Sequence, residues 1–411
     1  MEFIREKIKD KPLNKKRIAT MVGVAAVCGI VFAGCASIVL AISLPAINGT
    51  LVKNTEIESQ QSSYVDESES SDVNTQQQPE VVLPNISMSI TDYQELQSQL
   101  YAIGKETNRA IVTVTGVSKE TDWMNNSYEA VGQGSGVIMS SDENYLYILT
   151  EMKNITDAKN INVTFIDDMR AEARLLKSDA NTGITILTVE KSQLDDETKK
   201  AIKTIVIGNS YAVEEGTIVM ALGNPLGTNY SVLAGNVTSK DNEMSTQDVN
   251  YTVFTTNIVA NEKGSGILVN TKGELVGVVI QDFSGSQDSS TLTAVAISEV
   301  SGLIETLSNG KDNPYMGIYV STVTEQISKR YDIPKGVFVR EVVTDSPAML
   351  AGLQSGDVIV KMNDEELPSD TMFSARLQRL IPGTTCELVV KRQDGDKYYE
   401  ITCTVEIGVM K

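Results

Sequence analysis

The chain has 411 residues, 41% of them hydrophobic and 22% charged, and carries a formal net charge of −19. A chain this negative repels phosphate backbones, which excludes nucleic acid as a partner. It has no histidine at all, which excludes a Ser-His-Asp triad and removes the commonest metal ligand, and no metal or other cofactor is implied.

Residues 1–17 hold seven basic side chains (Arg5, Lys7, Lys9, Lys11, Lys15, Lys16, Arg17) against three acids. Residues 18–47 then run thirty positions without a charge. A membrane span needs roughly 20 apolar residues, so this segment is long enough to cross a bilayer with tilt. Its basic flank keeps the N-terminus cytoplasmic and sends residue 48 onward outside. The expectation is an uncleaved single-pass anchor in a bacterial cytoplasmic membrane. A cleaved signal peptide has a shorter apolar region. A lipoprotein signal ending at Cys35 is the weaker reading, because the apolar run continues past it. Residues 48–88 are rich in Ser, Gln, Glu, Asp, Thr and Asn and read as a disordered tether.

Folded sequence begins near Ile90. Asp92 and Glu95 suggest a capping box that opens an amphipathic helix to about Ile103. Short β-rich runs follow at 111–114, 135–139, 145–149, 162–165, 184–189, 217–222, 231–238, 251–255, 266–269, 275–280 and 292–296. Turn residues separate them. About 200 residues in many short strands argue for two small β-barrels. Residues 297–307 read as a closing helix, and Ser308-Asn309-Gly310-Lys311-Asp312-Asn313-Pro314 marks a domain boundary. The expected domains are therefore 89–310 and 311–411, the second with helical stretches near 347–352 and 371–380.

Several segments resemble, in order, the HtrA (Deg) family of membrane-anchored serine proteases. They are Gly134-Ser135-Gly136-Val137-Ile138, Ala173–Asp179 with Ile184-Thr185-Ile186-Leu187, Met220-Ala221-Leu222-Gly223-Asn224-Pro225-Leu226-Gly227, Ser231–Ser239, Leu268–Gly277 and Ala294-Val295-Ala296-Ile297. The last hundred residues resemble the family's PDZ domain, through Tyr315-Met316-Gly317-Ile318, Ser346-Pro347-Ala348, Ala351-Gly352-Leu353 and Ser355-Gly356-Asp357-Val358-Ile359. The resemblance implies a mostly β fold: a chymotrypsin-like double β-barrel followed by a PDZ domain, behind one transmembrane helix and the tether. It implies trimers, alone or with an active paralogue. It also implies that Tyr315, Met316, Gly317 and Ile318 hold the carboxylate of apolar C-termini or unfolded segments, with the peptide added as a strand to a sheet edge.

The catalytic positions depart from the family. Without gaps, Lys153 falls where the family keeps His, Gly183 where it keeps Asp, and Gly264 where it keeps the nucleophilic Ser. Glu262 replaces a glycine of the oxyanion hole, a site that needs backbone freedom. Loss of base, orienter and nucleophile together points to a pseudoprotease serving envelope protein quality control as scaffold, regulator or chaperone. The alternative is an active endopeptidase that uses Ser265 with Lys153 as a Ser-Lys dyad. Finally, Cys386 and Cys403 flank a predicted hairpin turn at Asp394-Gly395. Pairing Gln393 with Asp396 sets the cysteines opposite each other, either as an extracytoplasmic disulfide or as two small buried thiols.

Overall fold

A computed structural model describes residues 89–121, 127–284 and 290–410. The expected anchor, its basic flank, the tether, Cys28 and Cys35 lie outside the described residues. Among those described, no helix is long and apolar enough to cross a membrane.

Helix α1 (Ile90–Thr107) opens the described chain. Its cap is Ser89, not Asp92. Asp92 N–H donates to Ser89 Oγ at 3.2 Å, and Ser89 N–H donates to Asp92 Oδ2 at 2.9 Å. Asp92 is thus the third helical residue, whose carboxylate reaches back to the cap. The helix also runs four residues beyond the expected end at Ile103.

The first barrel is closed in the order β1-β2-β3-β6-β5-β4. Its strands are β1 (Ile111–Thr121), β2 (Ser127–Ser141), β3 (Tyr145–Glu151), β4 (Asn160–Thr164), β5 (Arg170–Ser178) and β6 (Ile184–Glu190). The second barrel holds β7 (Val206–Ile207), β8 (Ile218–Asn224), β9 (Ser231–Ser245), β10 (Asn250–Val259), β11 (Ser265–Val269), β12 (Glu274–Ile280) and β13 (Thr291–Ala296). Its order is β11-β8-β9-β10-β13-β12-β7, with β11 also pairing β12. Strand β5 escapes a reading based on apolar runs because it alternates Ala171 and Ala173 inward with charged residues outward.

Many strands look continuously apolar because each feeds two cores. In β6, Leu187 and Val189 fill the first barrel while Ile184 and Ile186 pack between the barrels. In β8, Val219 and Ala221 fill the second barrel while Met220 and Leu222 join the central core. Alternate side chains leave a strand on opposite faces, so a strand buried on both faces loses its polar alternation. Short helix α2 (Asp196–Ala201) links the barrels. Helix α3 (Ile297–Ser308) then closes the central core with Val300, Leu303, Ile304 and Leu307.

The C-terminal domain contains β14 (Pro314–Tyr315), β15 (Ile318–Val323), α4 (Glu325–Tyr331), β16 (Gly336–Val342), α5 (Pro347–Leu350), β17 (Val358–Met362), β18 (Glu365–Glu366), α6 (Asp370–Leu377), β19 (Thr385–Asp394), β20 (Lys397–Glu406) and β21 (Gly408–Val409). Its main sheet runs β15-β16-β17-β19-β20, leaving β15 at an edge. Its core is separate from those of the barrels and includes Met316, Ile318, Val339, Phe373 and Leu388. Arg392 and the buried Asp357 tie β19 to the turn before β17 through two contacts of 2.8 Å.

The cysteine pairing is corrected by the hairpin register. Asp394 pairs with Lys397, so the turn is Gly395-Asp396, with Gly395 at φ +60°. This sets Cys386 opposite Val405 and Cys403 opposite Leu388. The shift of two keeps both side chains on the buried face but takes them out of direct opposition, and both are free thiols. Burial pushes the Cys386 thiol up to about 11.

Candidate functional site

Lys153, Gly183 and Gly264, the positions that the resemblance assigns to a triad, lie around the cleft between the barrels. Lys153 sits in the short turn after β3. Its Nζ pairs with Glu151 Oε2 at 2.8 Å and donates to the Gly264 carbonyl at 3.4 Å. Glu151, the last residue of β3, is 5% exposed, and its Oε1 has no hydrogen-bond partner among the described residues. Burial pushes its carboxyl up to about 7, with Lys153 pulling it down and Asp282 adding a smaller upward push. A buried carboxylate beside one cation is thus held near neutrality in its proton affinity.

Gly183 stands at φ +71° with open space beside it. Its N–H donates to the Asp179 carbonyl at 2.9 Å, and its own carbonyl accepts from Met152 N–H at 2.7 Å. The neighbouring Asp179 carboxylate is turned away into structure. It accepts from Thr182 N–H and Thr182 Oγ1, and from Asn313 Nδ2 at 2.9 Å, which ties the first barrel to the start of the C-terminal domain.

Gly264 is locked in a turn. Its N–H donates to the Asn261 carbonyl at 2.8 Å, and Asn261 N–H donates to the Pro225 carbonyl at 3.0 Å. A Cβ built on Gly264 would lie 2.8 Å from Pro225 O and 2.9 Å from Asn261 O. The amide that would serve an oxyanion at a serine placed here is therefore already bonded within the turn. Glu262 is exposed in the same turn.

Ser265 begins β11 and is 1% exposed. Its Oγ accepts from Ser135 N–H of β2 at 2.9 Å. The Lys153 ammonium thus reaches the carbonyl of residue 264, while the Ser265 hydroxyl serves as a buried inter-barrel clasp. No hydrogen bond joins the two side chains among the described residues. Glu151 and Ser135 were not expected in this cleft. Nothing in the sequence marks them, because their roles depend on the two barrels meeting.

The second candidate site is the loop Tyr315-Met316-Gly317-Ile318. Gly317 has φ +86°, and a Cβ there would meet Ser346 Cβ at 2.4 Å. Only glycine fits, and the turn aims three successive amides at one point. That point holds the carboxylate of Asp248, from the turn between β9 and β10. Asp248 Oδ2 accepts from Met316 N–H at 2.8 Å and Gly317 N–H at 3.0 Å, and Oδ1 accepts from Gly317 N–H at 2.9 Å and Ile318 N–H at 3.0 Å. Burial pushes the Asp248 carboxyl up to about 6, while the Gly317, Met316 and Ile318 amides pull it down. Asp248 was not expected here. Its only local signal is a turn residue, shared with many others.

The double barrel with its cleft, followed by a sheet-edge peptide loop, defines a trypsin-like domain joined to a PDZ domain. Known proteins agree. The trypsin-like peptidase domain model matches residues 134–278, and the PDZ domain model matches residues 314–403. The chain is 31% identical over 293 residues to a probable periplasmic serine endoprotease DegP-like of Pseudomonas fulva, covering 69% of this chain and 57% of that relative. It is 28% identical over 321 residues to the serine protease Do-like HtrB of Bacillus subtilis, covering 71% of this chain and 68% of the relative. The chain spans little more than half the length of the DegP-like relatives. The solved structure of the HtrA-type protease AlgW with decapeptide shares the fold, with a TM-score of 0.58 at 21% identity over 76% of this chain and 99% of that one. The chain thus carries a trypsin-like domain followed by a PDZ domain, and in this it is similar to proteases of the HtrA/DegP type.

Proposed function

We propose that this chain is a membrane-tethered pseudoprotease, held outside a bacterial cytoplasmic membrane by residues 18–47. It binds peptides or unfolded segments through its PDZ domain as a scaffold, regulator or chaperone in envelope protein quality control. The observation that carries the reading is the state of residue 264. It has no nucleophile, its amide is bonded within the turn, and two backbone carbonyls crowd the place a side chain would take. Lys153 and Gly183 add neither a histidine base nor a carboxylate orienter. The PDZ loop, by contrast, keeps three convergent amides and sits beside the edge strand β15, as strand addition requires.

The reading is tested by incubating the purified full-length protein with an unfolded protein such as reduced casein. No cleavage is expected, together with suppression of the casein's aggregation. Cleavage that disappears in Ser265→Ala would overturn the reading in favour of a Ser265/Lys153 peptidase.

A further inference from the structure

The Asp248 turn does more than touch the PDZ loop; it reproduces the bonding of a peptide ligand. A C-terminal peptide added to a sheet edge places its carboxylate on the loop amides and its backbone polar groups on the edge strand. Here the Asp248 carboxylate takes all three amides of Met316, Gly317 and Ile318. The Asp248 N–H donates to the Ile318 carbonyl at 2.7 Å. Two residues on, Asn250 Nδ2 donates to the Val320 carbonyl at 3.2 Å. These are alternate carbonyls on the free edge of β15. The opposite wall is engaged too: Ser374 Oγ of α6 donates to the Asp248 carbonyl at 2.7 Å, and Asn250 Nδ2 donates to Asp370 Oδ2 at 2.5 Å. Both walls of the groove between β15 and α6 are thus satisfied by one tip of the protease-like domain.

The tip is built for this pose. Asp248 sits at φ +67°. Thr246 braces the turn by donating both its N–H and its hydroxyl to the Val249 carbonyl, at 2.9 and 2.8 Å. Asn181 Nδ2 of the first barrel donates to the Gln247 carbonyl at 2.8 Å. A carboxylate buried so completely would be costly without partners, and the cradle supplies four contacts.

We propose that Asp248 is an internal ligand of the PDZ domain: its side-chain carboxylate fills the site of a peptide's terminal carboxylate and closes the groove until a C-terminal peptide displaces it. The proposal rests on the peptide-binding reading above. Binding then requires the β9–β10 tip to leave the groove, so ligand capture by the PDZ domain loosens its attachment to the barrels. The apparent affinity is reduced by the fraction of molecules in which the tip is docked.

The test uses the full-length protein and a fluorescein-labelled decapeptide ending in Val with a free carboxylate, beside the same peptide amidated at its C-terminus. The free-carboxylate peptide is expected to bind wild type weakly and Asp248→Ala at least tenfold more tightly. Asp248→Asn, which keeps the shape and one acceptor oxygen, should fall between them. The amidated peptide should bind none of the three. Thermal unfolding of Asp248→Asn guards against a folding artefact in the alanine variant. Equal affinity for wild type and both variants would overturn the internal-ligand proposal while leaving peptide binding intact. Absence of binding to every variant would overturn the peptide-binding reading itself, and the proposal with it. Tighter binding of the amidated peptide by Asp248→Ala would also overturn the proposal, because the cradle would then not be selecting a carboxylate.

Discussion

Placing a serine at residue 264 tests the proposed loss of a catalytic shape in the cleft. In Gly264→Ser, the new Cβ meets the Pro225 and Asn261 carbonyl oxygens at 2.8 and 2.9 Å. Both obstacles are backbone, so neither can swing away as a side chain would. Relief requires opening the Gly264-to-Asn261 and Asn261-to-Pro225 hydrogen bonds, each contributing about 1 kcal/mol. Overpacking in a buried setting adds about 1–3 kcal/mol. The sum is a destabilisation of about 3–5 kcal/mol, which for a domain of this size lowers Tm by roughly 6–20 °C. Differential scanning calorimetry of the full-length variant measures the loss, and casein hydrolysis should remain absent. A Gly264→Ser protein as stable as its parent, and able to release casein fragments, would refute the locked-turn account.

Other consequences follow from single contacts. Ser265→Ala removes the acceptor of the buried Ser135 N–H and should cost about 1–3 kcal/mol in chemical unfolding; an unchanged midpoint would remove the clasp. Glu151 has a folded-state affinity for protons near pH 7 against 4.5 for a free glutamate. The folded state therefore binds more protons across that window, so the contribution of Glu151 to stability is full below about pH 4.5, falls as pH rises toward 7, and is lost above. Its share of the drop is about 3 kcal/mol, and Glu151→Gln should lessen the decline in urea titrations at stepped pH, leaving the part that the likewise raised Asp248 contributes; a Gln variant with the parental slope refutes the assignment. Asp357→Ala leaves Arg392 with only the Gly352 carbonyl and should destabilise the C-terminal domain by about 1–3 kcal/mol, read as an earlier unfolding transition of that domain. Cys386 and Cys403 should alkylate only after unfolding and without prior reduction, since buried, protonated thiols react slowly; a linked peptide pair in mass spectrometry would restore the disulfide.

The double barrel was legible because many short β-rich runs with turns between them admit few architectures. The PDZ domain was legible only as a resemblance, carried by its loop glycines and the Ser-Pro-Ala helix start. Ser89 was missed as the cap of α1 because both Ser89 and Asp92 suit such a position, and only the helix start decides between them. The cysteine register depended on one residue in a turn where Asp394-Gly395 and Gly395-Asp396 are both acceptable, and a two-residue shift moved every partner.

The sequence alone determined that histidine chemistry is absent, because residue identity is sufficient for that. What Ser265 and Asp248 do was decided only by tertiary structure. Ser265 is 130 residues from Ser135, and Asp248 is about 70 residues from the loop it fills. Each is an ordinary turn or strand-end residue in its own segment. It gains a role only when packing brings a distant backbone amide within bonding distance, and no local pattern encodes that encounter.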